Sequence, residues 1–287
     1  MSVTANLLAK EKRRAMPLTV AMPALSLLCV SKALLVIYEA SCSPLSVLLN
    51  NIVRTWFIIF VVFLVTAAYG TAVMIHMFLW KNHDVFYAYT RSWARFVLKI
   101  SRVQVVTVGT DEIRPEERYV YIANHASLFD IPVLIAAVPD NFRIIYKREL
   151  QKIPIFGWCI RMSPFIAIDR ERSRDAVDVL DTVSQTMRQG SSVLIFPEGT
   201  RSDSGIVGEF RRGAFSLAAR SGRSIIPISI VGTRNTLPKK TRHIQGGLVT
   251  IHVGSPITVP EVTTREAERN LMEHVRQIIS NTVDSYL

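Results

Sequence analysis

A run of 25 residues without Asp, Glu, Lys or Arg, from Trp56 to Trp80, limits what this chain can fold into. As a helix it would be about 37 Å long, which exceeds the hydrocarbon core of a bilayer at about 30 Å. Tryptophan at both ends suits the two membrane interfaces, and Arg54 and Lys81 flank the run. The alternative, a helix buried in a protein core, rarely needs such a length. We therefore predict a membrane-anchoring helix over residues 56–80.

A second, less regular apolar segment at residues 17–38 is predicted to be a membrane-associated helix. The connecting residues 39–54 carry one acidic and one basic residue, whereas both outer flanks are basic. The positive-inside rule then puts the N-terminus and everything after Lys81 in the cytoplasm. A hairpin that spans the membrane twice and one that dips into a single leaflet satisfy this rule equally. We assign residues 1–83 to an N-terminal membrane anchor and residues 84–287 to a second domain.

The chain is basic, with a formal net charge of +11 and a sequence pI near 9.9, and 49% of its residues are hydrophobic. A basic surface attracts either nucleic acid or an anionic membrane. The sequence has no RNA-binding signature and no zinc-finger spacing, so we expect membrane lipids and no nucleic acid as partners. The three cysteines, Cys29, Cys42 and Cys159, form no CxxC pair, which argues against a disulfide framework and a structural metal site. Cys159 is expected to pack in the core.

Beyond residue 84, short apolar runs alternate with helical patterns, which predicts an α/β fold. We expect a mixed, largely parallel sheet flanked by helices. The predicted strands are 103–108, 119–123, 142–147, 192–196, 225–230 and 248–253. The predicted helices are 84–100, 127–138, 173–189, 210–221 and 263–284.

A His-x4-Asp pattern follows the predicted strand 119–123, where His125 begins the connection to the next helix and Asp130 lies five residues later. Ser127 is a candidate N-cap for that helix. A neutral imidazole takes a proton from a hydroxyl near pH 7, and a carboxylate on its other nitrogen fixes the tautomer and stabilises the imidazolium. His125 and Asp130 are therefore candidate catalytic residues. For an isolated pattern, a helix-capping aspartate beside a hydrogen-bonded loop histidine is the more common explanation, so the hypothesis needs a matching site elsewhere in the chain.

The turn after the predicted strand 192–196 has the sequence Pro197-Glu198-Gly199-Thr200-Arg201-Ser202. Ligand sites of α/β proteins collect at such strand ends. Arg201 is a candidate for bidentate recognition of a phosphate, and Gly199 would let the backbone approach a ligand closely. A tight turn with a surface arginine is the alternative. Four further basic residues fall at strand ends or turns: Lys147, Arg170, Arg211 and Arg212. Of these four and Arg201, we expect only two or three to touch a ligand.

Taken together, these stretches resemble the 1-acyl-glycerol-3-phosphate acyltransferase family over about residues 84–285. The matching stretches are Asn124-His125 to Asp130 for its His-x4-Asp motif, Ile166 to Arg170 for its second block, Phe196 to Ser202 for its third and Ile226-Pro227-Ile228 for its fourth. Order and spacing also agree, and as a set the motifs are highly specific. The second block departs slightly, because Ser163-Pro164 stands just ahead of it where a glycine is usual. The N-terminal segments match only in being apolar and anchoring.

The resemblance implies transfer of a fatty acyl group from an acyl thioester to the sn-2 hydroxyl of 1-acyl-glycerol-3-phosphate (lysophosphatidate), which gives phosphatidate in phospholipid biosynthesis. His125 would be the general base on that hydroxyl, and Asp130 would orient it. The implied substrate-binding residues are Lys147, Arg170, Glu198, Gly199, Thr200 and Arg201. Glu198 is expected to order its turn more than to perform chemistry.

The resemblance implies no cofactor and no metal, because the thioester is a co-substrate carried by coenzyme A or by acyl carrier protein. The sequence has no Gly-x-Ser-x-Gly elbow and no activated cysteine, so direct attack of the hydroxyl on the thioester fits it. A backbone amide near residues 198–200 is a candidate for stabilising the oxyanion. The alternatives are another acceptor, such as glycerol 3-phosphate or another lysophospholipid, a hydrolase that uses water, and an inactive membrane-anchored lipid-binding module. The expected location is the membrane, with the catalytic domain on the cytoplasmic face.

Overall fold

The computed structural model of the protein describes residues 44–80, 82–168, 175–241, 243–259 and 264–286. By its internal contacts the chain divides into two compact units, Met1–Arg54 and Thr55–Leu287. The described part of the first unit, residues 44–54, is helical. The predicted apolar segment 17–38 lies outside the described residues.

The second unit alternates strands with helices, as the sequence predicts. The strands are β1 (Val103–Val108), β2 (Val120–Ala123), β3 (Phe142–Lys147), β4 (Ile166–Ile168), β5 (Ser192–Ile195), β6 (Ile225–Val231) and β7 (Gly247–Val253). The helices are α1 (Pro44–Trp80, which begins in the first unit), α2 (His83–Ile100), α3 (Asp130–Ala137), α4 (Phe156–Met162), α5 (Asp175–Arg188), α6 (Gly213–Ser221), α7 (Thr233–Thr236) and α8 (Arg265–Asp284).

In the described part of the chain the strands form one mixed sheet in the order β1-β7-β6-β2-β5-β3-β4. The strands β6, β2, β5, β3 and β4 run parallel, with Tyr121 of β2 opposite both Leu194 and Ile226. β7 is antiparallel to β6 and parallel to β1. A helix covers each crossover between the parallel strands, so all five end at the same edge of the sheet. This arrangement confirms the predicted α/β fold with a largely parallel sheet.

The structure differs from the prediction at several places. α1 begins at Pro44, so residues 44–54, which the sequence analysis gives as part of a connection between two apolar segments, are helical. The elements β4 and α4 are missing from the prediction because stretches of three and seven residues carry little periodic signal. The four-residue α7 is also missing from the prediction. The helix predicted from Ser127 begins at Asp130, so Ser127 is not its N-cap. The reason is that the Asp130 carboxylate binds the backbone amides of Ala126 and Ser127, which therefore form a turn. The Ser127 hydroxyl instead donates to the Leu237 carbonyl and accepts from the Phe129 amide.

The core lies on both faces of the sheet because successive side chains of a strand point to opposite faces. In β2, Tyr121 packs on the side of α2 and α3, whereas Val120 and Ile122 pack on the side of α5, α6 and α8. All three side chains are completely buried. The sheet is therefore held between two layers of helices, which fixes the strand ends in position.

The part of α1 in the second unit, residues 55–80, packs one face against this domain. Four buried side chains mark that face along its whole length: Ile58, Val65, Val73 and Met77. Other large apolar side chains of the helix are exposed: Phe60, Phe63, Leu64, Ile75 and Phe78. Among the described residues, Leu49–Trp80 is one helix long and apolar enough to cross a membrane. A helix that is apolar all round needs a second apolar environment for the face that the protein leaves open.

Polar contacts with α2 accompany this packing. The indole Nε1 of Trp93 donates to Thr66 Oγ1 at 3.0 Å. The hydroxyls of Tyr69 and Ser92 are also 3.0 Å apart. The predicted domain boundary between residues 83 and 84 stays a prediction, and the packing of α1 provides a direct way to test it.

Ile58→Ala is expected to destabilise the domain, whereas Phe60→Ala is not, because Ile58 is 2% exposed and Phe60 is 59% exposed. Truncating a buried isoleucine lowers the free energy of unfolding by about 2–5 kcal/mol, and a surface substitution changes it by about 0.5 kcal/mol or less. Thermal unfolding of the two detergent-solubilised variants, followed by circular dichroism, measures the difference. Equal stabilities would mean that α1 contributes nothing to the domain and that residues 84–287 fold without it.

Candidate active site

The sequence-predicted site residues collect where the parallel strands end. His125 follows β2, Glu198 follows β5 and Lys147 is the last residue of β3. β5 pairs with both β2 and β3, so the three residues lie along one edge of the sheet. This is the edge at which α/β folds bind their ligands.

The imidazole of His125 and the carboxylate of Asp130 are in direct contact. Nδ1 of His125 lies 2.6 Å from Oδ2 of Asp130. The Asp130 side chain is completely buried, whereas 17% of the His125 side chain is exposed. A carboxylate beside Nδ1 favours the tautomer with its proton on that nitrogen, which leaves a lone pair on Nε2. This geometry suits a general base with an orienting carboxylate.

The backbone of the same turn holds the Asp130 carboxylate in place. Its Oδ2 also accepts hydrogen bonds from the amides of Ala126 at 2.8 Å and Ser127 at 2.9 Å. Hydrogen bonds to a charged group contribute roughly 1.5–3 kcal/mol each. The other oxygen, Oδ1, is buried and accepts no hydrogen bond within the described part of the chain. The negative charge is therefore concentrated opposite the donors on Oδ2, of which the imidazole is one.

Two neighbours fix His125 from other directions. The ring of Phe196 stacks on the imidazole, with 4.2 Å between ring centroids and 23° between planes. The preceding Asn124 is buried, and its amide group forms two hydrogen bonds with the backbone of Ile230, to the carbonyl at 2.9 Å and from the N–H at 2.7 Å. Asn124 thus fastens the end of β2 to β6. Both residues belong to the sequence motifs given above, but local sequence indicates no role for either.

The Glu198 carboxylate joins the turn after β5 to the turn after β2. Its Oε1 accepts from the backbone amide of His125 at 2.8 Å, and its Oε2 accepts from the amide of Gly208 at 3.1 Å. Burial raises the pKa of Glu198, and these two amide donors counter the rise. Because each oxygen is held by a backbone amide, the carboxylate orders the turns and sets the backbone of His125. Direct binding of substrate by Glu198 stays a prediction.

The turn that carries Arg201 depends on a glycine. Gly199 has a φ of +73°, which side chains other than hydrogen rarely allow. A Cβ at this position would lie 3.1 Å from Nε of Arg211, so the Arg211 side chain packs directly over the turn. The amide of Ser202 donates to the carbonyl of His125 at 2.7 Å, which keeps Arg201 beside the histidine. The Arg211 guanidinium and the backbone of Arg201 therefore lie at the same turn.

Among the described residues, the contacts of the remaining basic residues do not place their charged groups at His125. Nζ of Lys147 lies 3.1 Å from Glu149 Oε1, at the end of a strand that is not adjacent to β2. Arg170 lies outside the described residues, so its role stays a prediction. The structure adds Lys239, whose Nζ donates to the carbonyl of Arg201 at 2.7 Å. Sequence reasoning missed Lys239 because it is 38 residues from that turn and only the fold brings the two together.

The described residues contain neither a candidate metal site nor an activated cysteine. The described residues contain no group of three His, Cys, Asp or Glu side chains arranged to hold a metal ion. Burial raises the pKa of the Cys159 thiol to about 11. A thiol with that pKa is protonated near neutral pH and is a poor nucleophile. Cys159 packs beside Val73, Met77 and Phe86, in agreement with the expected packing role.

Comparison with known proteins finds relatives for part of the domain. Residues 104–231 match the model of the Acyltransferase family. A chloroplastic 1-acyl-sn-glycerol-3-phosphate acyltransferase of Arabidopsis thaliana is 35% identical over 157 residues, which are 54% of this chain and 44% of that protein. The alpha form from Homo sapiens is 33% identical over 162 residues, which are 56% of this chain and 57% of that protein. The chain thus spans about half the length of these curated relatives.

A solved structure extends the comparison to the fold. The crystal structure of PlsC, the 1-acyl-sn-glycerophosphate acyltransferase of Thermotoga maritima, has a TM-score of 0.70 and 25% sequence identity. The match covers 83% of this chain and 97% of that one. The fold and residues 104–231 are thus similar to those of known acyltransferases. These similarities confirm the resemblance of the motifs to 1-acyl-sn-glycerol-3-phosphate acyltransferases.

Proposed function

We propose that the protein transfers a fatty acyl group from an acyl thioester to the sn-2 hydroxyl of 1-acyl-glycerol-3-phosphate, with phosphatidate as the product. The observation that carries this proposal is the 2.6 Å contact between His125 Nδ1 and the buried Asp130 carboxylate at the ligand-binding edge of the sheet. The relatives are named as acyltransferases of 1-acyl-sn-glycerol-3-phosphate. We infer the acceptor of this protein from its similarity to these relatives.

In the proposed mechanism, Nε2 of His125 takes the proton of the acceptor hydroxyl as its oxygen attacks the thioester carbonyl. Asp130 stabilises the imidazolium that forms. When the tetrahedral intermediate collapses, the carbon–sulfur bond breaks and the imidazolium returns the proton to the departing thiolate. The products are the acylated acceptor and a free thiol, so no acyl group is attached to the protein.

The negative charge that develops on the thioester oxygen needs a donor close to His125. The amide of Gly199 is already used, because it donates to the carbonyl of Phe196 at 3.1 Å. The amide of Thr200, in the same turn, makes no hydrogen bond within the described residues. We assign the oxyanion to this amide, since a fixed backbone donor costs no reorganisation during the reaction. The thiol carrier is coenzyme A or acyl carrier protein.

The phosphate of the acceptor is assigned to Arg201, with Arg211 as a second donor over the same turn. A guanidinium binds a phosphate through two parallel N–H donors, which also fixes its orientation. The Arg211 side chain packs over the Gly199 backbone, where a Cβ would meet it, and Arg201 follows two residues later in the chain. Substitution of that glycine would therefore disturb the arginine as well as the turn. Lys147 and Arg170 are kept as further candidates.

The domain is proposed to work at the cytoplasmic face of the membrane, with α1 lying in one leaflet. Residues 55–80 pack along the domain, and Thr66 near the middle contacts α2. α2 also carries Arg91, Arg95 and Lys99, and charged side chains are unstable at the centre of a bilayer. The part of α1 that contacts α2 therefore lies away from the bilayer centre. Of the two hairpin arrangements, the one that enters a single leaflet fits these contacts. It delivers the domain directly to an acceptor that resides in the bilayer.

His125→Ala is expected to lower kcat by about 10² to 10⁴-fold, because general-base catalysis contributes that much. Asp130→Asn is expected to cost somewhat less, because the imidazole remains in a poorer tautomer. The assay follows transfer of a labelled acyl group from its thioester to lysophosphatidate, with glycerol 3-phosphate and other lysophospholipids as competing acceptors.

Two matched controls are available on α8, where His274→Ala and Asp284→Asn change the same residue types at exposed positions. Both should retain wild-type turnover. Near-normal turnover in a folded His125→Ala protein would refute the mechanism. Faster transfer to another acceptor than to lysophosphatidate would be consistent with the mechanism but would show that lysophosphatidate is not the preferred acceptor.

Arg201→Ala is expected to raise the KM for lysophosphatidate by roughly 10 to 150-fold, because a hydrogen bond to a charged group contributes about 1.5–3 kcal/mol. The exposed Arg269→Ala on α8 removes the same charge and should leave that KM unchanged. Steady-state kinetics with each substrate varied in turn separates the possibilities. A rise in the thioester KM alone would reassign Arg201 to the phosphates of the thiol carrier.

A further inference from the structure

A second cleft lies at the edge of the sheet opposite the catalytic pair. It encloses about 450 Å³. Its walls include residues that precede the strands, namely Arg118 before β2, Asn141 before β3 and Ser191 before β5. His125 instead follows β2, so the four residues of that strand, about 13 Å at 3.3 Å per residue, separate the cleft from the catalytic site. The first half of α2 forms another wall of the cleft.

Four arginines line this arginine cleft: Arg91, Arg114, Arg118 and Arg143. All but Arg114 are partly buried. These three guanidinium groups are held by neutral oxygens, since Arg91 donates to the carbonyl of Asp140, Arg118 to the carbonyl of Gly190 and Arg143 to the hydroxyl of Ser191. Within the described residues none of the three forms an ion pair with a carboxylate. Only the exposed Arg114 does so, with Glu117 at 3.0 Å.

The carboxylates in the cleft offset only part of this charge, because two aspartates face four arginines. The two aspartates are Asp84 and Asp140. The Asp140 carboxylate already accepts hydrogen bonds from the Tyr121 hydroxyl at 2.9 Å and the Asn141 amide at 2.7 Å. Several positive charges gathered in a partly buried space repel one another unless an anion joins them. The unused N–H groups of such guanidiniums have the planar geometry that suits phosphate oxygens.

Two further polar groups in the cleft lack a partner. The Tyr87 hydroxyl makes no hydrogen bond within the described residues, and burial raises its pKa, so it remains a donor. The side-chain oxygen of Asn141 is buried and also accepts no hydrogen bond in the described part of the chain. A phosphate oxygen would accept from Tyr87, and a hydroxyl group on the same ligand would donate to Asn141. Both unsatisfied groups belong to residues that line the cleft, so a ligand there offers them partners.

We propose that the arginine cleft binds the phosphate group of an anionic ligand that also carries a hydroxyl group. Two sources share this chemistry, a soluble phosphorylated polyol and the headgroup of a hydroxylated phospholipid. The second is close at hand, because α2 begins just after the exposed apolar end of α1, where Phe78 and Trp80 are 77% and 63% exposed. The cleft shares no residue with the acceptor site proposed at Arg201, so it is a separate phosphate site.

Equilibrium dialysis of the full chain in detergent against radiolabelled inorganic phosphate tests this proposal. Arg143→Gln is expected to weaken one class of phosphate sites by about 10-fold or more, as loss of a charge-assisted contact does. Arg269→Gln, which removes the same charge from an exposed position of α8, should leave that class unchanged, as should Arg201→Ala. Ser191→Ala removes the neutral partner of Arg143 but keeps the guanidinium, so it should retain most of the binding.

Acyl transfer by Arg143→Gln in phosphate-free buffer shows whether that variant is folded, and Arg91→Gln serves as a second variant. Equal phosphate binding by Arg143→Gln, Arg91→Gln and Arg269→Gln would overturn the proposal. If only Arg201→Ala loses phosphate binding, the proposed acceptor site is supported and the proposed phosphate site in the arginine cleft is refuted. The two proposals therefore fail separately.

Competition in the Arg201→Ala protein distinguishes the two sources of ligand. Displacement of labelled phosphate by glycerol 1-phosphate alone identifies a soluble ligand. Displacement by vesicles of phosphatidylcholine that contain phosphatidylglycerol, and not by vesicles of phosphatidylcholine alone, identifies a lipid headgroup. Displacement by neither competitor would overturn the assignment of a hydroxylated phosphate ligand.

Discussion

The candidate site depends on a single buried oxygen, Oδ2 of Asp130. It accepts hydrogen bonds from the backbone amides of Ala126 and Ser127 and lies 2.6 Å from Nδ1 of His125. A buried carboxylate is stable only where donors surround it, and here the donors are supplied by the chain between the histidine and the aspartate. The turn that stabilises the charge is therefore the same turn that orients the base. Lengthening or shortening it would remove both functions together.

Much of the fold follows from local sequence. Buried parallel strands appear as short apolar runs, and β1 and β3 begin and end at the predicted residues. The contact between His125 and Asp130 also follows from a spacing within one turn. What local sequence does not contain is the set of long-range contacts around that pair. Asn124 bonds to Ile230, 106 residues away, and no periodicity signals such a partner.

The helix α1 illustrates the same limit. Its composition predicts a membrane helix, and nothing in the sequence distinguishes Ile58 from Phe60. In the folded protein the first is buried against the domain and the second is exposed. The distinction arises because α2 and the sheet provide an apolar surface for only one side of the helix. From its composition, α1 is expected to contact only lipid. In the folded protein one side of the helix packs against the domain, and the other side is exposed.

The two ends of the parallel sheet have different arrangements of charged groups. At the end with His125, the fold places a carboxylate against an imidazole and arginines beside a glycine turn. At the opposite end, arginines are held by neutral oxygens instead of carboxylates. Both ends arise from the same parallel sheet, whose strand ends gather loops that are distant in sequence.

In the proposed mechanism His125 acts as a base for direct transfer and never carries the acyl group. Rapid-quench mixing of the protein with a radiolabelled acyl thioester, in the absence of acceptor, tests this mechanism. Direct transfer predicts no burst of free thiol and no label that remains on the denatured protein. One equivalent of covalently bound acyl group per chain, formed as fast as turnover, would contradict it.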